Sequence, residues 1–262
     1  MPDHGIFRRA LVRPPAENFA DGLTTVDLGV PDVREALAQY AAYCRALEGL
    51  ELGLTSLPAD PRYPDSTFVE DTAILTPRGT AILTRPGAAS RQGEVAAIET
   101  ALGAFYRAFS RIEAPGTVDG GDICEAGDHY FLGVSRRTNE EGARQLARFL
   151  AADGYTSSVI DIRDLSVILH LKSGIAWLGG CRLAVIGALA QHPAFRGWEL
   201  LRLSPEEDYA ANLVLVNGSV LVAEGFPKVA RAVRDLGYPT VELPMSEYQK
   251  MDGGLSCLSL RF

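Results

Sequence analysis

Short apolar runs broken by glycine-containing turns recur along the chain, and most are followed by a stretch of helical periodicity. Phe68 to Leu75 and Thr80 to Leu83 flank a turn at Pro77-Arg78-Gly79, and Val118 to Cys124 and His129 to Val134 flank Gly127-Asp128. Val167 to Leu178 and Arg182 to Ile186 flank Gly179-Gly180, while Leu213 to Val216 and Ser219 to Val222 flank Asn217-Gly218, the strongest two-residue hairpin signal in the chain. Starts at Phe68, Val118, Val167 and Leu213 lie 50, 49 and 46 residues apart, although the residues differ from copy to copy. The repeat is therefore one of architecture. Helical periodicity fits 32–48, about 90–108, 139–152 and 226–236, the third opening with Asn139 as N-cap and two glutamates in its first turn.

Ile6 to Val12 at one end and Leu255 to Arg261 at the other supply the strands of a fifth module. A closed ring of about five ββαβ-like units follows, in one domain over residues 1–262, because no Pro/Gly/Ser-rich linker divides the chain. The plain alternative at this point is an α/β protein whose hairpins fall at accidental spacing. Hydrophobic residues at 47% and charged residues at 22% give an ordinary core and exclude disorder. A net charge of −8 argues against a nucleic-acid surface and suits a cationic small ligand. No run of about 18 apolar residues occurs and the first residues lack a signal-peptide core, so no membrane association and a cytoplasmic location are expected. Cys44, Cys124, Cys181 and Cys257 are widely spaced, with no zinc-like Cys/His pattern, and read as reduced thiols; neither metal nor cofactor is expected.

Cys257 is the candidate nucleophile. It follows Asp252-Gly253-Gly254-Leu255-Ser256, whose glycines let backbone approach a ligand, although a lone cysteine beside Leu258 also fits a small buried hydrophobe. Among His4, His129, His170 and His192, only His170 sits inside an apolar run, Val-Ile-Leu-His-Leu-Lys-Ser. In an alternating strand it would share a face with Lys172, as a base or as a satisfied core histidine. Carboxylates interrupt two apolar strands, at Glu70-Asp71 and at Asp119-Gly120-Gly121-Asp122. Burying a carboxylate unpaired costs several kcal/mol, so these groups need partners, water or a ligand cation. Turn chemistry alone accounts for Asp119 and Asp122 about as well.

Taken together and in order, these residues resemble the dimethylarginine dimethylaminohydrolase family of the penteins. The resemblance runs through Asp21-Gly22-Leu23-Thr24, Pro64-Asp65-Ser66, Phe68-Val69-Glu70-Asp71, Arg85-Pro86-Gly87 to Arg91, and Asp119-Gly120-Gly121-Asp122. It continues through Arg137-Thr138-Asn139, His170-Leu171-Lys172, Tyr209-Ala210-Ala211-Asn212 and Asp252 to Cys257. It implies a five-bladed, pseudo-fivefold α/β propeller and hydrolysis of methylated arginine to citrulline through a covalent thiouronium on Cys257. His170 is then the general acid/base and Asp119 the carboxylate that orients it, a shorter group than the glutamate of some bacterial members. Asp71 and Glu70 line the guanidinium pocket. Asp65, the backbone of Leu23 and that of Met251 hold the amino-acid end, while Arg91 and Arg137 grip its carboxylate. The sequence shows no cation beside Cys257, so the substrate's own guanidinium would supply the field that ionises the thiol. An arginine or agmatine deiminase and a silent ligand-binding relative are the competing readings, with Lys172 standing where arginine deiminases carry a second carboxylate. A homodimer stays open.

Overall fold

The computed structural model describes residues 6–262; His4 lies outside the described residues. Five three-stranded sheets follow one another, each with a middle strand antiparallel to one neighbour and parallel to the other. In the first, β1 (Arg9–Val12) pairs antiparallel with β15 (Ser259–Arg261), Leu11 opposite Leu260, and parallel with β2 (Gly53–Ser56). The second sheet holds β3 (Ala73–Leu75), β4 (Ala81–Leu83) and β5 (Ser110–Arg111); the third holds β6 (Ile123–Ala126), β7 (His129–Val134) and β8 (Thr156–Asp161). The fourth has β9 (Ile175–Trp177), β10 (Arg182–Val185) and β11 (Glu199–Arg202); the fifth has β12 (Val214–Val216), β13 (Ser219–Ala223) and β14 (Thr240–Leu243). The β15–β1 pair brings both ends of the described chain into one sheet, and the whole is a pseudo-fivefold α/β propeller.

The helices make the parallel returns. α1 (Val33–Gly49) is capped by Asp32, which accepts from Arg34 N and Glu35 N, and α3 (Glu140–Ala152) by Asn139, which accepts from Gly142 N. α4 (Pro227–Asp235) starts on a proline, whose missing N–H is an orphan there in any case. The second helix is shorter than its periodicity predicts. α2 covers only Val95–Leu102, because Ala89–Glu94 forms a 3-10 segment that turns Arg91 and Glu94 inward. The fourth module replaces its helix with a single 3-10 turn at Pro193–Phe195. Asn217 and Gly218 take φ of 47° and 86°, the pair of positive values that a tight hairpin turn requires.

The first predicted strands that open at Phe68, Val118, Val167 and Leu255 begin too early, whereas Leu213 is one residue from the start of β12. Each hairpin is entered through a 3-10 turn: Val69–Thr72, Gly120–Asp122, Leu171–Ser173, Pro205–Ala211 and Ser256–Leu258, the first to fifth turns in chain order. Polar residues that would be stranded in a sheet sit in these turns instead. His170 precedes the third turn and is not in a strand, so it shares no strand face with Lys172.

Candidate functional site

The five turns pack against one another, and in the first and fifth of them neighbouring residues face opposite ways. Two residues ahead of their strands stand Asp71 and Cys257, which line a small cleft with Leu23, Asp65, Arg91, Arg137, His170 and Met251. One residue earlier stand Glu70 and Ser256, which with Lys172 face a separate cavity of about 150 Å³ bounded by the inner strands of all five modules. Glu70 thus departs from the sequence expectation. Its Oε1 lies 2.5 Å from the Lys172 ammonium and 3.6 Å from Arg261, and its Oε2 accepts from Ser256 Oγ at 2.7 Å. Adjacent to Asp71 in a tight turn, it cannot point into the same pocket. Lys172 is likewise committed to Glu70 behind the cleft.

Within the cleft the carboxylates hold the histidine. His170 Nε2 lies 3.1 Å from Asp119 Oδ2, so the shorter aspartate does reach the ring; Asp119 Oδ1 accepts from Gly87 N at 2.8 Å. The glycines of Asp119-Gly120-Gly121-Asp122 are required by this packing. A Cβ on Gly120 would fall 2.0 Å from the Glu70 carbonyl, and one on Gly121 would fall 2.8 Å from His170 Nδ1. Gly87 is constrained in the same way, since its Cβ would sit 2.1 Å from the Arg137 carbonyl. Burial depresses the imidazole's proton affinity, but Asp71, Asp122 and Asp119 outweigh it and raise the His170 pKa to about 9. Asp122 accepts from Leu171 N at 3.0 Å and from Ser135 Oγ at 2.6 Å, and burial lifts its own pKa to about 6.

Asp71 accepts from Gly121 N at 2.8 Å and meets Arg91 at 2.5 Å. Burial works against its charge, yet Arg91 and His170 bring its pKa to about 2, so it stays ionised. Arg91 lines the cleft, but its guanidinium is largely engaged within the protein, on Glu94, Asp71 and the carbonyls of Asp65 and Phe68. Arg137 is less committed: its side chain is 16% exposed and 3.9 Å from Asp119. Asp65 accepts from Leu23 N at 3.0 Å, and burial raises its pKa. Asp252, with φ of 55°, accepts from Thr25 N at 2.5 Å and from Thr24 Oγ1 at 3.3 Å, which pins the 24–25 segment beside the cleft.

Cys257 is half-buried, and Gly254 N points at its Sγ from 3.4 Å. Burial, together with Glu70 and Asp71, pushes the thiol up to about 12 against the weaker opposing effects of that N–H and Lys172. The cleft therefore holds a neutral thiol, a protonated imidazole and ionised Asp71, a carboxylate that can accept from a cation beside a nucleophile still carrying its proton. Asp71, Asp119 and His170 also offer ligand atoms within 4.8 Å of one another, a spacing that a metal ion can use. Arg91 already neutralises Asp71 there, so an ion would compete with a buried guanidinium. Asn212 and Asp122 received no role from the sequence. The only signal for Asn212 was the Tyr209-Ala210-Ala211-Asn212 motif, and Asp122 read equally well as turn chemistry.

A family model described as arginine deiminase matches residues 62–175. The chain is 45% identical over 258 residues to the N(G),N(G)-dimethylarginine dimethylaminohydrolase of Pseudomonas aeruginosa, covering 98% of this chain and all of that one. A solved structure of a mutant of that enzyme, with serine in place of a cysteine, complexed with citrulline, matches with a TM-score of 0.95 at 45% identity, over 98% of this chain and 100% of the other. A dimethylarginine dimethylaminohydrolase with glycine in place of a histidine, solved as an adduct with S-methyl-L-thiocitrulline, matches with a TM-score of 0.94 at the same identity and coverage.

Proposed function

This chain belongs to the dimethylarginine dimethylaminohydrolase family, and from that premise we propose how its own residues hydrolyse N-omega-methylated L-arginine to L-citrulline and a methylamine. The observation that carries the reading is the cleft that gathers Cys257, the His170–Asp119 pair, Asp71 and Arg137. Asp71 takes the guanidinium. Asp65 with the Leu23 and Met251 backbone holds the α-amine, and Arg137 meets the α-carboxylate, with the charge of Arg91 behind it. Glu70 acts on this site from the central cavity, through Ser256.

The bound cation brings positive charge to a thiol that otherwise keeps its proton. The Cys257 proton passes to solvent, since His170 already carries one. The thiolate attacks the guanidinium carbon, His170 gives its proton to the departing methylamine, which takes up a further proton from solvent once free, and a thiouronium remains on Sγ. His170, now neutral, takes a proton from water as it adds; collapse of that adduct restores the thiol and releases citrulline. In the free protein, ultraviolet titration should show no Cys257 thiolate between pH 6 and 9, values on either side of the ordinary thiol pKa of ~8.5. Ionisation well below that pKa in the ligand-free protein would show that substrate charge is not what activates the thiol.

The reading is tested by measuring ureido product in parallel from asymmetric dimethylarginine, monomethylarginine, arginine and agmatine. Turnover of the methylated arginines supports it. Preference for arginine would favour the deiminase reading, for which the match of residues 62–175 speaks. A charge-assisted contact to a carboxylate is worth about 1.5–3 kcal/mol, so Arg137→Ala should lower kcat/KM for methylarginine roughly 10- to 150-fold. Agmatine has no carboxylate and should lose little or gain. An unchanged methylarginine-to-agmatine ratio would remove Arg137 from substrate recognition. Among the described residues no helix is long and apolar enough to cross a membrane.

A further inference from the structure

The five turns are joined edge to edge by hydrogen bonds. Gly121 N donates to Asp71 between the first and second turns, and Leu171 N to Asp122 between the second and third. Asn212, just past the fourth turn, donates from Nδ2 to the Lys172 carbonyl at 2.9 Å in the third and accepts at Oδ1 from Ser256 N at 2.8 Å in the fifth. Ser256 Oγ then donates to Glu70 in the first. The Asn212 side chain serves two joints of this circuit, and these lie beside the base and the nucleophile: Lys172 is two residues after His170, and Ser256 precedes Cys257.

We propose that Asn212 is a positioning residue that ties the loop carrying His170 to the loop carrying Cys257. Its place in the fold supports this. Asn212 occupies the position, two residues before its strand, that Asp71 and Cys257 occupy in their modules, yet it does not line the cleft. The facing loop is shaped to receive it: a Cβ on Gly254 would lie 2.6 Å from its Cγ and Oδ1. Tyr209, from the same turn, holds that loop a second time by donating to the Gly253 carbonyl at 2.9 Å. Both ends of the amide are used, Nδ2 also donating to Ser256 Oγ at 3.1 Å. A carboxylate could replace only the accepting end.

The inference rests on the roles given above to Cys257 and His170. Asn212→Asp keeps the acceptor for Ser256 N and loses the donor to Lys172, whereas Asn212→Ala loses both without adding charge. Each should lower kcat on asymmetric dimethylarginine by at least about tenfold, with KM within about twofold of wild type, since the charged partners proposed for the ligand, Asp65, Asp71 and Arg137, lie on other elements. Iodoacetamide should also modify Cys257 in the ligand-free variants at least about threefold faster, because a released loop opens more often. Circular dichroism checks the fold, and Asn212→Asp, which is nearly isosteric, decides if the alanine variant fails to fold. Wild-type kcat in Asn212→Asp, or a KM that rises with kcat unchanged, overturns the proposal. A wild-type protein inert towards every guanidine would defeat the functional reading instead, and the alkylation rates would then judge Asn212: unchanged rates overturn the proposal.

Discussion

Cys257→Ser is expected to fold like the wild type and to lose turnover of methylated arginine by roughly 10⁴-fold or more. The fold should survive because the change removes little volume from a half-buried site, and a hydroxyl can accept the Gly254 N–H that now points at Sγ. Activity should not survive. A thiol pushed up to about 12 by burial can be drawn into its anionic form by a bound cation, whereas an alcohol starts several units higher. The serine oxygen is also a poor leaving group for the final collapse. A ureido assay on the purified variant, alongside calorimetric titration with citrulline, separates lost chemistry from lost binding. Activity within tenfold of wild type would move the nucleophile to another residue.

His170→Ala should lower steady-state turnover on the order of 10²- to 10⁴-fold, the usual worth of a positioned acid/base. With a pKa of about 9 the imidazole is protonated near neutrality, so its first duty is to donate to the departing amine and its second to accept from water. Quenched-flow mass spectrometry should find any residual reaction stalled as a covalent adduct on Cys257, because hydrolysis lacks its base. Retained activity would exclude His170 from the chemistry. The same variant has a signature in stability. His170 is raised from 6.5 to about 9 in the folded protein, so its protonated form favours the native state. That contribution is complete below about pH 6.5 and disappears as pH rises through about 9. The gap in thermal stability between wild type and variant should narrow over that window.

Much of this architecture was legible in the sequence because glycine punctuates it. Hairpin turns at Gly79, Gly127, Gly179-Gly180 and Asn217-Gly218 marked four modules, and caps at Asp32 and Asn139 marked two helices. What stayed hidden was the 3-10 entry to each hairpin, since a polar residue ahead of an apolar run looks like an interrupted strand until it is known which neighbour satisfies it. Glu70 shows the cost. The resemblance implied one pocket shared with Asp71, but a tight turn sends consecutive side chains to opposite sides, one to the cleft and the other to Lys172 and Ser256. Arg91 shows the reverse. The resemblance implied that it grips a ligand carboxylate, and only the geometry reveals how far Glu94, Asp71 and two carbonyls already engage it.

The distribution of the site over five turns has a consequence for how the molecule comes into being. Asp71, Asp119, His170 and Cys257 come from different modules, and β1 meets β15 across almost the whole length of the described chain. Such pairings carry a high contact order, and their loop-closure entropy is lost before any of them is rewarded. Any run of two or three consecutive modules lacks the proposed nucleophile, the proposed base or at least one of the carboxylates. On the proposed mechanism, reactivity towards a guanidinium is therefore expected only once the ring has closed.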